Sequence, residues 1–360
     1  MTAVDISDPV LHEMRERIVS AHATGMPLRL RGAGTKDFYG EALDGEILET
    51  GGYAGIVEYE PSELVITARC GTRLSEIEAA LDANGQFLAF EPPAFGADPT
   101  IGGVIAAGLS GPRRASAGAA RDFVLGASLL TAAGDLLHFG GQVMKNVAGF
   151  DVSRLLCGSL GILGLITQAS LKVLPKPRAE VTLQFDCDAQ SALARFNGWR
   201  PQPLPISATS WHAGFAHVRL SGSPSAVRSA RESLGGSVLD DHDAATLWRD
   251  RRDQRLPLFA EGGSSLWRLS VPATAPLEPA GADLLEWSGA LRWRRCGVAA
   301  GNEIRRQTRE LGGTATLWRG NGTGPMFDAL DPASLDLHRR LKHEFDPRAI
   351  FNRGRMVADL

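Results

Sequence analysis

The chain has 360 residues, of which 44% are hydrophobic and 22% are charged, values typical of a globular protein with room for two domains. Its formal net charge of -3 provides no basic surface for nucleic acid, and no apolar run approaches the ~20 residues of a membrane span. Met1–Asp8 has no basic stretch followed by an apolar one, so it does not resemble a signal peptide. We therefore expect a cytoplasmic protein, and attachment to the inner face of the membrane through a complex stays open.

The four cysteines, Cys70, Cys157, Cys187 and Cys296, are far apart and form no C-x-x-C pair. Structural zinc and iron–sulfur clusters need clustered thiolates, so this spacing supports neither of them. We predict reduced, buried thiols and no metal site.

The first predicted elements are a helix, a strand and a turn. A helix begins after Asp8, where Pro9 takes the first helical position and apolar residues follow at helical spacing. The alternation in Leu28–Arg31 predicts a short strand. The turn that follows, Gly32–Lys36, combines glycine N–H groups, a hydroxyl and a cation, as phosphate loops do.

That turn is open to two interpretations. It is not the dinucleotide pattern G-x-G-x-x-G, because Asp37 stands at the sixth position. It does not match G-x-x-x-x-G-K-[ST] either. A plain turn and a pyrophosphate site therefore both remain possible at this point.

Three glycine-rich segments dominate the first half: Pro99–Gly108, Gly118–Gly126 and Gly158–Thr167. Glycine admits positive φ and lets a flat ligand approach the backbone, so three such segments favour one extended cofactor or a β-domain with tight turns. Alternation and spacing predict further elements in this half: strands over Leu64–Ala68, Val124–Leu130, Leu136–Phe139 and Leu165–Val173, and helices over Leu74–Asn84 and Asp151–Leu156.

The composition changes after Pro175-Lys176-Pro177, because all seven tryptophans lie between Trp199 and Trp318. We place a domain boundary there and expect an antiparallel sheet with helices over 178–333, and a C-terminal segment over 334–360. The predicted elements are strands over Val181–Phe185, His217–Leu220 and Leu266–Val271, and helices over Ser225–Leu234, Glu303–Leu311 and Ser334–Phe345.

Five segments, in this order, resemble the FAD-binding proteins of the vanillyl-alcohol-oxidase type, also called PCMH-type. They are Arg31–Lys36, Pro99–Gly103, Gly118–Gly126, Gly158–Thr167 and Phe345–Arg355. The resemblance implies an α+β fold: a two-subdomain PCMH-type FAD-binding domain over 1–177, a smaller α+β domain with an antiparallel sheet, and a C-terminal segment that returns to the FAD domain.

Within that family, Gly111–Arg114, Arg121–Gly126, Phe139–Asp151 and the tryptophan-rich second half resemble the FAD-binding subunits of bacterial glycolate oxidases. The resemblance implies a complex with a related catalytic flavin subunit and an iron–sulfur subunit. It also implies support for oxidation of glycolate, or another short 2-hydroxy acid, to the 2-oxo acid, with electrons passed to the partner subunits.

The resemblance also implies which positions contact the cofactor. These are Arg31, Gly32, Ala33, Gly34, Thr35, Lys36, Pro99, Thr100, Gly102, Gly103, Gly108, Gly118, Arg121, Asp122, Gly161, Gly164, Ile166 and Asn352. Covalent members of the family carry a histidine in one of two segments, and neither 31–40 nor 99–120 contains one here. We therefore expect non-covalent FAD. Lys145-Asn146 is either a cation beside the flavin or part of a solvated loop.

One departure from the family leaves the catalytic residues unassigned. Catalytic relatives have a histidine in a glycine-rich segment of the second domain, and the comparable Gly312–Gly322 has none. This favours an FAD-binding subunit that depends on a catalytic partner. A stand-alone dehydrogenase using His212, His217 and Arg319 is the first alternative. A cofactor-free assembly subunit is the second, and the glycines kept in every cofactor segment argue against it.

Overall fold

The computed structural model describes residues 7–96, 98–141, 151–260, 262–320, 324–358 and 360. The helices are α1 (Pro9–Thr24), α2 (Leu74–Asp82), α3 (Ile101–Ala107), α4 (Arg114–Ala117), α5 (Val152–Leu155), α6 (Ala189–Trp199), α7 (Pro224–Leu234), α8 (Asp241–Arg252), α9 (Gly301–Glu310) and α10 (Pro332–Phe345). Short 3-10 turns lie at Ala120–Asp122, Pro257–Phe259, Trp287–Gly289 and Val298–Ala300.

The strands in the first half are β1 (Leu28–Arg31), β2 (Glu46–Glu49), β3 (Ile56–Glu60), β4 (Val65–Arg69), β5 (Gln86–Phe87), β6 (Val124–Leu130), β7 (Leu136–Gly140), β8 (Leu165–Lys172) and β9 (Leu174–Pro175). Those in the second half are β10 (Ala179–Asp186), β11 (Ile206–His212), β12 (Phe215–Gly222), β13 (Ser237–Val238), β14 (Ser265–Ser270), β15 (Leu284–Glu286), β16 (Leu291–Cys296) and β17 (Thr314–Arg319).

The chain divides into two compact units. The first comprises Met1–Leu109, Ala119–Pro175 and Ala329–Leu360, and the second comprises Ser110–Gly118 and Lys176–Asp328. The mixture of helices and sheets confirms the predicted α+β class.

The first unit contains, in its described residues, an antiparallel sheet of five strands in the order β3-β4-β8-β6-β7. Its central strand β8 is buried on both faces except at Lys172. Strands β1 and β2 pair in parallel apart from this sheet, and α1 packs beside them in one apolar cluster that includes Leu11, Ile18 and Phe351. Asp8 caps α1 by accepting hydrogen bonds from the backbone N–H groups of Val10 and Leu11.

The second unit is built on a sheet whose described strands follow the order β13-β10-β12-β11-β15-β16-β14-β17, all antiparallel. Helices α6 and α7 bury Leu193, Phe196 and Val227 against one face, with Val218 of β12 in the same cluster. This arrangement agrees with the predicted antiparallel sheet with helices.

Most of the tryptophans are part of this unit's interior. Trp267, Trp293 and Trp318 are fully buried, and Arg292 beside them is 0% exposed. Arg292 donates to the carbonyl oxygens of Ala275 and Pro276, both at 2.6 Å, which satisfies a charge far from water. These side chains therefore belong to the core of the second unit and not to an exposed surface.

The predicted elements of the first half and of the C-terminal segment are confirmed to within a few residues. The patterns do not predict β11, β15, β16 or β17, nor helices α6 and α8. Lys145-Asn146 lies outside the described residues. None of the helices in the described ranges has both the length and the apolarity that a membrane crossing requires.

Candidate functional site

The first unit contains a cavity of about 930 Å³, a volume that includes open solvent at its mouth. Concave sites of this kind, with a few polar groups that converge on one space, are where small molecules commonly bind to proteins. Its walls come from β1 and the turn after it, from α3, from the turn before β8 and from the C-terminal segment.

The turn Gly32–Lys36 forms one wall, directly after β1. Gly34 has φ +72°, and a Cβ there would lie 2.5 Å from Nη2 of Arg31, so this position requires glycine. In the described part of the chain, the backbone N–H groups of Gly32–Thr35 donate to no protein acceptor. Consecutive free N–H groups at a turn form a concave anion site.

Cations outnumber carboxylates around that turn. Two carboxylates balance the positive charge of Arg31: its Nε lies 2.9 Å from Asp37 and its Nη1 lies 3.4 Å from Glu49. The Nε of Arg29 is buried and has no hydrogen-bond partner within the described ranges. Burial lowers the pKa of Arg355, and the nearby positive charge of Arg29 acts in the same direction. An anion in the cavity would accept a hydrogen bond from the Nε of Arg29, and its negative charge would favour the charged form of Arg355.

Helix α3 supplies a second wall that has almost no side chains. Thr100 caps the helix, its Oγ1 accepting from the N–H of Gly103 at 3.4 Å. A Cβ at Gly102 would lie 2.8 Å from Cβ of Cys70, whereas a Cβ at Gly103 would meet only Oγ1 of Thr100, at 3.3 Å. Gly103 therefore leaves space in the cavity itself. Burial raises the pKa of the Cys70 thiol to about 12, so this wall is uncharged.

Most of the residues expected to contact the cofactor line this one cavity. They are Arg31, Gly32, Ala33, Gly34, Thr35, Lys36, Pro99, Thr100, Gly102, Gly103, Gly161, Gly164, Ile166 and Asn352. The fold thus brings together three stretches of the first half and one position in the C-terminal segment.

Four of the expected residues do not line the cavity, and local structure accounts for them. Gly108 ends α3 with φ +64°, and a Cβ there would lie 2.8 Å from Cα of Gly158. Gly118 ends α4 in the second unit. Arg121 is exposed, and Asp122 accepts from the N–H of Ala119 at 2.8 Å to close a 3-10 turn.

The sequence analysis overlooked several lining residues, among them Arg29, Tyr39, Thr50 and Arg355. The sequence contains one indication for Arg29. Strict alternation in Leu28–Arg31 places Arg29 on the same side of the strand as Arg31. No local pattern identifies Thr50, which the pairing of β1 with β2 brings beside the cavity.

Two histidines of the second unit, His212 and His217, contact other groups of the protein. His217 of β12 is 5% exposed, and its Nε2 lies 3.1 Å from Oε1 of Gln184 on β10. Burial, and then the charge of Arg251, lower the pKa of His217 from 6.5 to about 4. The Nδ1 of His212 lies 3.0 Å from the carbonyl oxygen of Asp283. In the described ranges no group of three or more histidine, cysteine or acidic side chains is arranged to hold a metal.

His217 gives the stability of the protein a pH dependence. Its folded-state pKa, about 4, lies below the unfolded value of 6.5, so the unfolded chain binds the extra proton as pH falls through this window. We expect the free energy of unfolding to be highest above pH 6.5 and to lose up to about 3 kcal/mol from this group by pH 4. Denaturant titrations at several pH values measure this loss, and His217→Gln should flatten the profile. Identical profiles for the two proteins would contradict it.

Comparisons with known proteins identify the family of the chain. Residues 11–140 match the family model of an FAD binding domain. The chain is 44% identical over 346 residues to the glycolate oxidase subunit GlcE of Escherichia coli (strain K12), a match that covers 96% of this chain and 97% of that protein. The glycolate oxidase subunit GlcD of Bacillus subtilis (strain 168) is 36% identical over 128 residues, 36% of this chain and 27% of that protein.

Among solved structures, an alkyldihydroxyacetonephosphate synthase superposes with a TM-score of 0.65 at 16% identity, over 95% of this chain and 75% of that one. At this identity the likeness shows the fold alone, and it confirms the PCMH-type architecture. The identity to GlcE extends over almost the full length of both proteins. The chain therefore belongs to the family of the glycolate oxidase subunit GlcE and carries its FAD-binding domain.

Proposed function

We propose that this chain is the FAD-binding subunit of a glycolate oxidase complex. It supports oxidation of glycolate, or another short 2-hydroxy acid, to the 2-oxo acid, and electrons pass to partner subunits. The near full-length similarity to GlcE supports the assignment to a complex. One feature of the cavity wall is the main support for FAD binding. In the described part of the chain, Gly32–Thr35 offer free backbone N–H groups there, and the Nε of Arg29 beside them has no partner.

These residues fit the charged part of FAD. A diphosphate needs several N–H donors and a cation, which the turn and Arg29 supply together. The glycine-lined wall at Gly103 leaves room for a flat ring system, which a side chain would obstruct. The lining residues include no histidine, and this supports non-covalent binding. FAD supplies a two-electron acceptor when it is bound.

We propose that a partner subunit provides the acid–base chemistry of the oxidation. Oxidation of a 2-hydroxy acid requires a base for the hydroxyl proton and a cation for the carboxylate. No lining residue is a histidine, and His217 is buried and bonded to Gln184. We therefore infer a catalytic partner, and the resemblance to bacterial glycolate oxidases implies that the partners are a related flavin subunit and an iron–sulfur subunit. The stand-alone dehydrogenase remains the alternative.

Flavin content tests cofactor binding directly. We expect the purified protein to show a flavin absorption spectrum, and acid or heat to release the FAD intact because it is not covalently attached. The supernatant after precipitation, analysed by chromatography, measures this release. A colourless protein that takes up no added FAD would exclude the proposal, and flavin that stays with the precipitate would exclude non-covalent binding.

Gly103→Leu tests the route of the cofactor through the α3 wall. The backbone tolerates a side chain there, since only Thr100 is near the added Cβ, but the side chain occupies the cavity. We expect affinity for FAD to fall roughly 10- to 100-fold, the equivalent of ~1–3 kcal/mol of overpacking. Gly198→Leu is the control, because Gly198 is a helical glycine of the second unit with nothing within 4 Å. Equal FAD affinity in both variants would exclude this route.

Turnover measurements test the dependence on partners. The isolated chain, loaded with FAD, should oxidise glycolate with an artificial dye acceptor slowly or not at all. Co-expression with the other subunits of its complex should restore turnover, with flavin and iron counted in the purified assembly. Brisk turnover by the isolated chain would favour the stand-alone enzyme.

A further inference from the structure

The segment 342–355, here called the C-terminal strap, runs along the free edge of β1. Strand β1 pairs with β2 on one side, and on the other the N–H of Leu28 donates to the carbonyl of Ile350 at 2.7 Å. The N–H of Asn352 donates back to the carbonyl of Leu28 at 2.9 Å. The strap is thus part of the backbone pairing that holds the strand before the anion-binding turn.

Asn352 uses both ends of its side-chain amide on the protein. Its Oδ1 accepts from the N–H of Leu30 at 2.8 Å, and its Nδ2 donates to the carbonyl of Leu160 at 2.7 Å. The side chain is 5% exposed and lines the cavity. Asn352 therefore joins two cavity walls, the strand β1 and the turn before β8.

Lys342 makes a second connection to the same turn. Its buried Nζ donates to the carbonyls of Ile162 at 2.7 Å and Phe351 at 2.8 Å, and it lies 2.8 Å from Oδ2 of Asp346. Three acceptors satisfy the three N–H groups of the ammonium. Lys342 thus connects the strap to the turn before β8 through the carbonyl of Ile162, while its ion pair with Asp346 lies within the strap.

Arg355 connects the strap to the far end of the anion-binding loop. Its Nη1 donates to the carbonyl of Glu41 at 3.0 Å, and its Nη2 donates to those of Lys36 at 3.1 Å and Asp37 at 2.7 Å. A Cβ at Gly40 would lie 2.6 Å from Nε of Arg355, so the loop is shaped around the guanidinium.

We propose that the strap positions the cofactor walls, and that its docking is thermodynamically coupled to FAD binding. Asn352, Lys342 and Arg355 are positioning residues, because each bonds to a segment that lines the cavity. If FAD binding requires all of these walls, FAD binds more tightly to the protein with the strap docked than to the protein with the strap undocked. Bound FAD therefore stabilises the docked strap. The inference rests on the proposed binding of FAD and goes beyond it by making strap docking a condition for binding.

Hydrogen exchange of the full-length protein tests the coupling. If opening of the strap abolishes binding, FAD at 100 times its dissociation constant slows exchange of the Phe351 and Asn352 amides by about 100-fold. The amide of Leu335, bonded to the carbonyl of Asp331 at the start of α10, is the internal control. Unchanged exchange in the strap of a protein that binds FAD would overturn the inference.

A matched pair of variants tests the bonds of Arg355 to the loop. Because Arg355 also lines the cavity, the effect of FAD on strap exchange, and not the rate of FAD release alone, distinguishes positioning from direct contact with the cofactor. Arg355→Gln removes the bonds to the loop. Arg353→Gln removes the same charge, but within the described ranges Arg353 bonds to the strap alone, through the carbonyls of Ala349 and Arg348. We expect faster FAD release and a smaller FAD effect on strap exchange in the first variant only. Equal FAD release from both would also overturn the inference, whereas a wild-type protein that binds no FAD would instead reject the proposed function.

Discussion

Replacing Arg29 with methionine is expected to weaken FAD binding by about 10- to 100-fold, because a hydrogen bond to a charged group contributes about 1.5–3 kcal/mol. Among the described residues, the Nε of Arg29 is buried without a hydrogen-bond partner, and Arg29 lines the cavity beside the free N–H groups of the turn. Methionine keeps most of the aliphatic volume and removes the charge and the donors. Titration of FAD into the flavin-free protein, followed by flavin fluorescence, measures the change.

Two further variants serve as controls for the FAD affinity of Arg29→Met. Arg29→Lys keeps the charge and should retain part of the affinity. Arg17→Met removes a cation that pairs with Glu46 at the surface, outside the cavity lining, and should bind FAD as the wild type does. If Arg29→Met and Arg17→Met bind FAD equally well, Arg29 is not the cation that contacts the diphosphate.

Replacing Lys342 with methionine is expected to lower the free energy of unfolding by about 3–5 kcal/mol, since it leaves the Asp346 carboxylate buried without its counter-charge. Asp346 is 1% exposed, and among the described residues the variant leaves it the N–H groups of Ile350 and Phe351 as donors, at 3.0 and 2.8 Å. The carbonyls of Ile162 and Phe351 lose their donor as well. Denaturant unfolding of both proteins at one pH measures the difference.

The same helix provides a control for this variant. Arg340 and Asp336 form an ion pair of 2.7 Å with the same spacing of four residues, but their side chains are 77% and 57% exposed. Arg340→Met should therefore change stability by less than about 1 kcal/mol. A double-mutant cycle with Asp346→Asn should show strong coupling to Lys342→Met. Equal losses from Lys342→Met and Arg340→Met would contradict the buried ion pair.

The glycine pattern was the most informative part of the sequence. The turn at Gly32–Lys36, the α3 segment and the turn before β8 all line one cavity. Glycine marks such segments because positions that need positive φ or close backbone approach accept few other residues, so the requirement is local. The sequence does not reveal what Asn352 bonds to. Asn352 lines the cavity, and both ends of its side-chain amide bond to protein backbone.

The second unit shows where the sequence patterns mislead. Leu291–Cys296 carries three arginines and resembles an exposed segment, yet β16 lies inside the sheet between β15 and β14. Arg292 is buried because carbonyl oxygens from the segment around Ala275 and Pro276 surround its guanidinium. Those acceptors are distant in the sequence, so periodicity could not reveal that the charge is satisfied.

The sequence by itself determined the fold class, the family and the main glycine-lined segments, because each depends on backbone requirements that act within a few residues. Only the tertiary structure decided that Arg29 faces the cavity with an unused donor and that the C-terminal strap bonds to three cavity segments. These features are contacts between residues up to hundreds of positions apart, and such contacts exist only once the chain has folded.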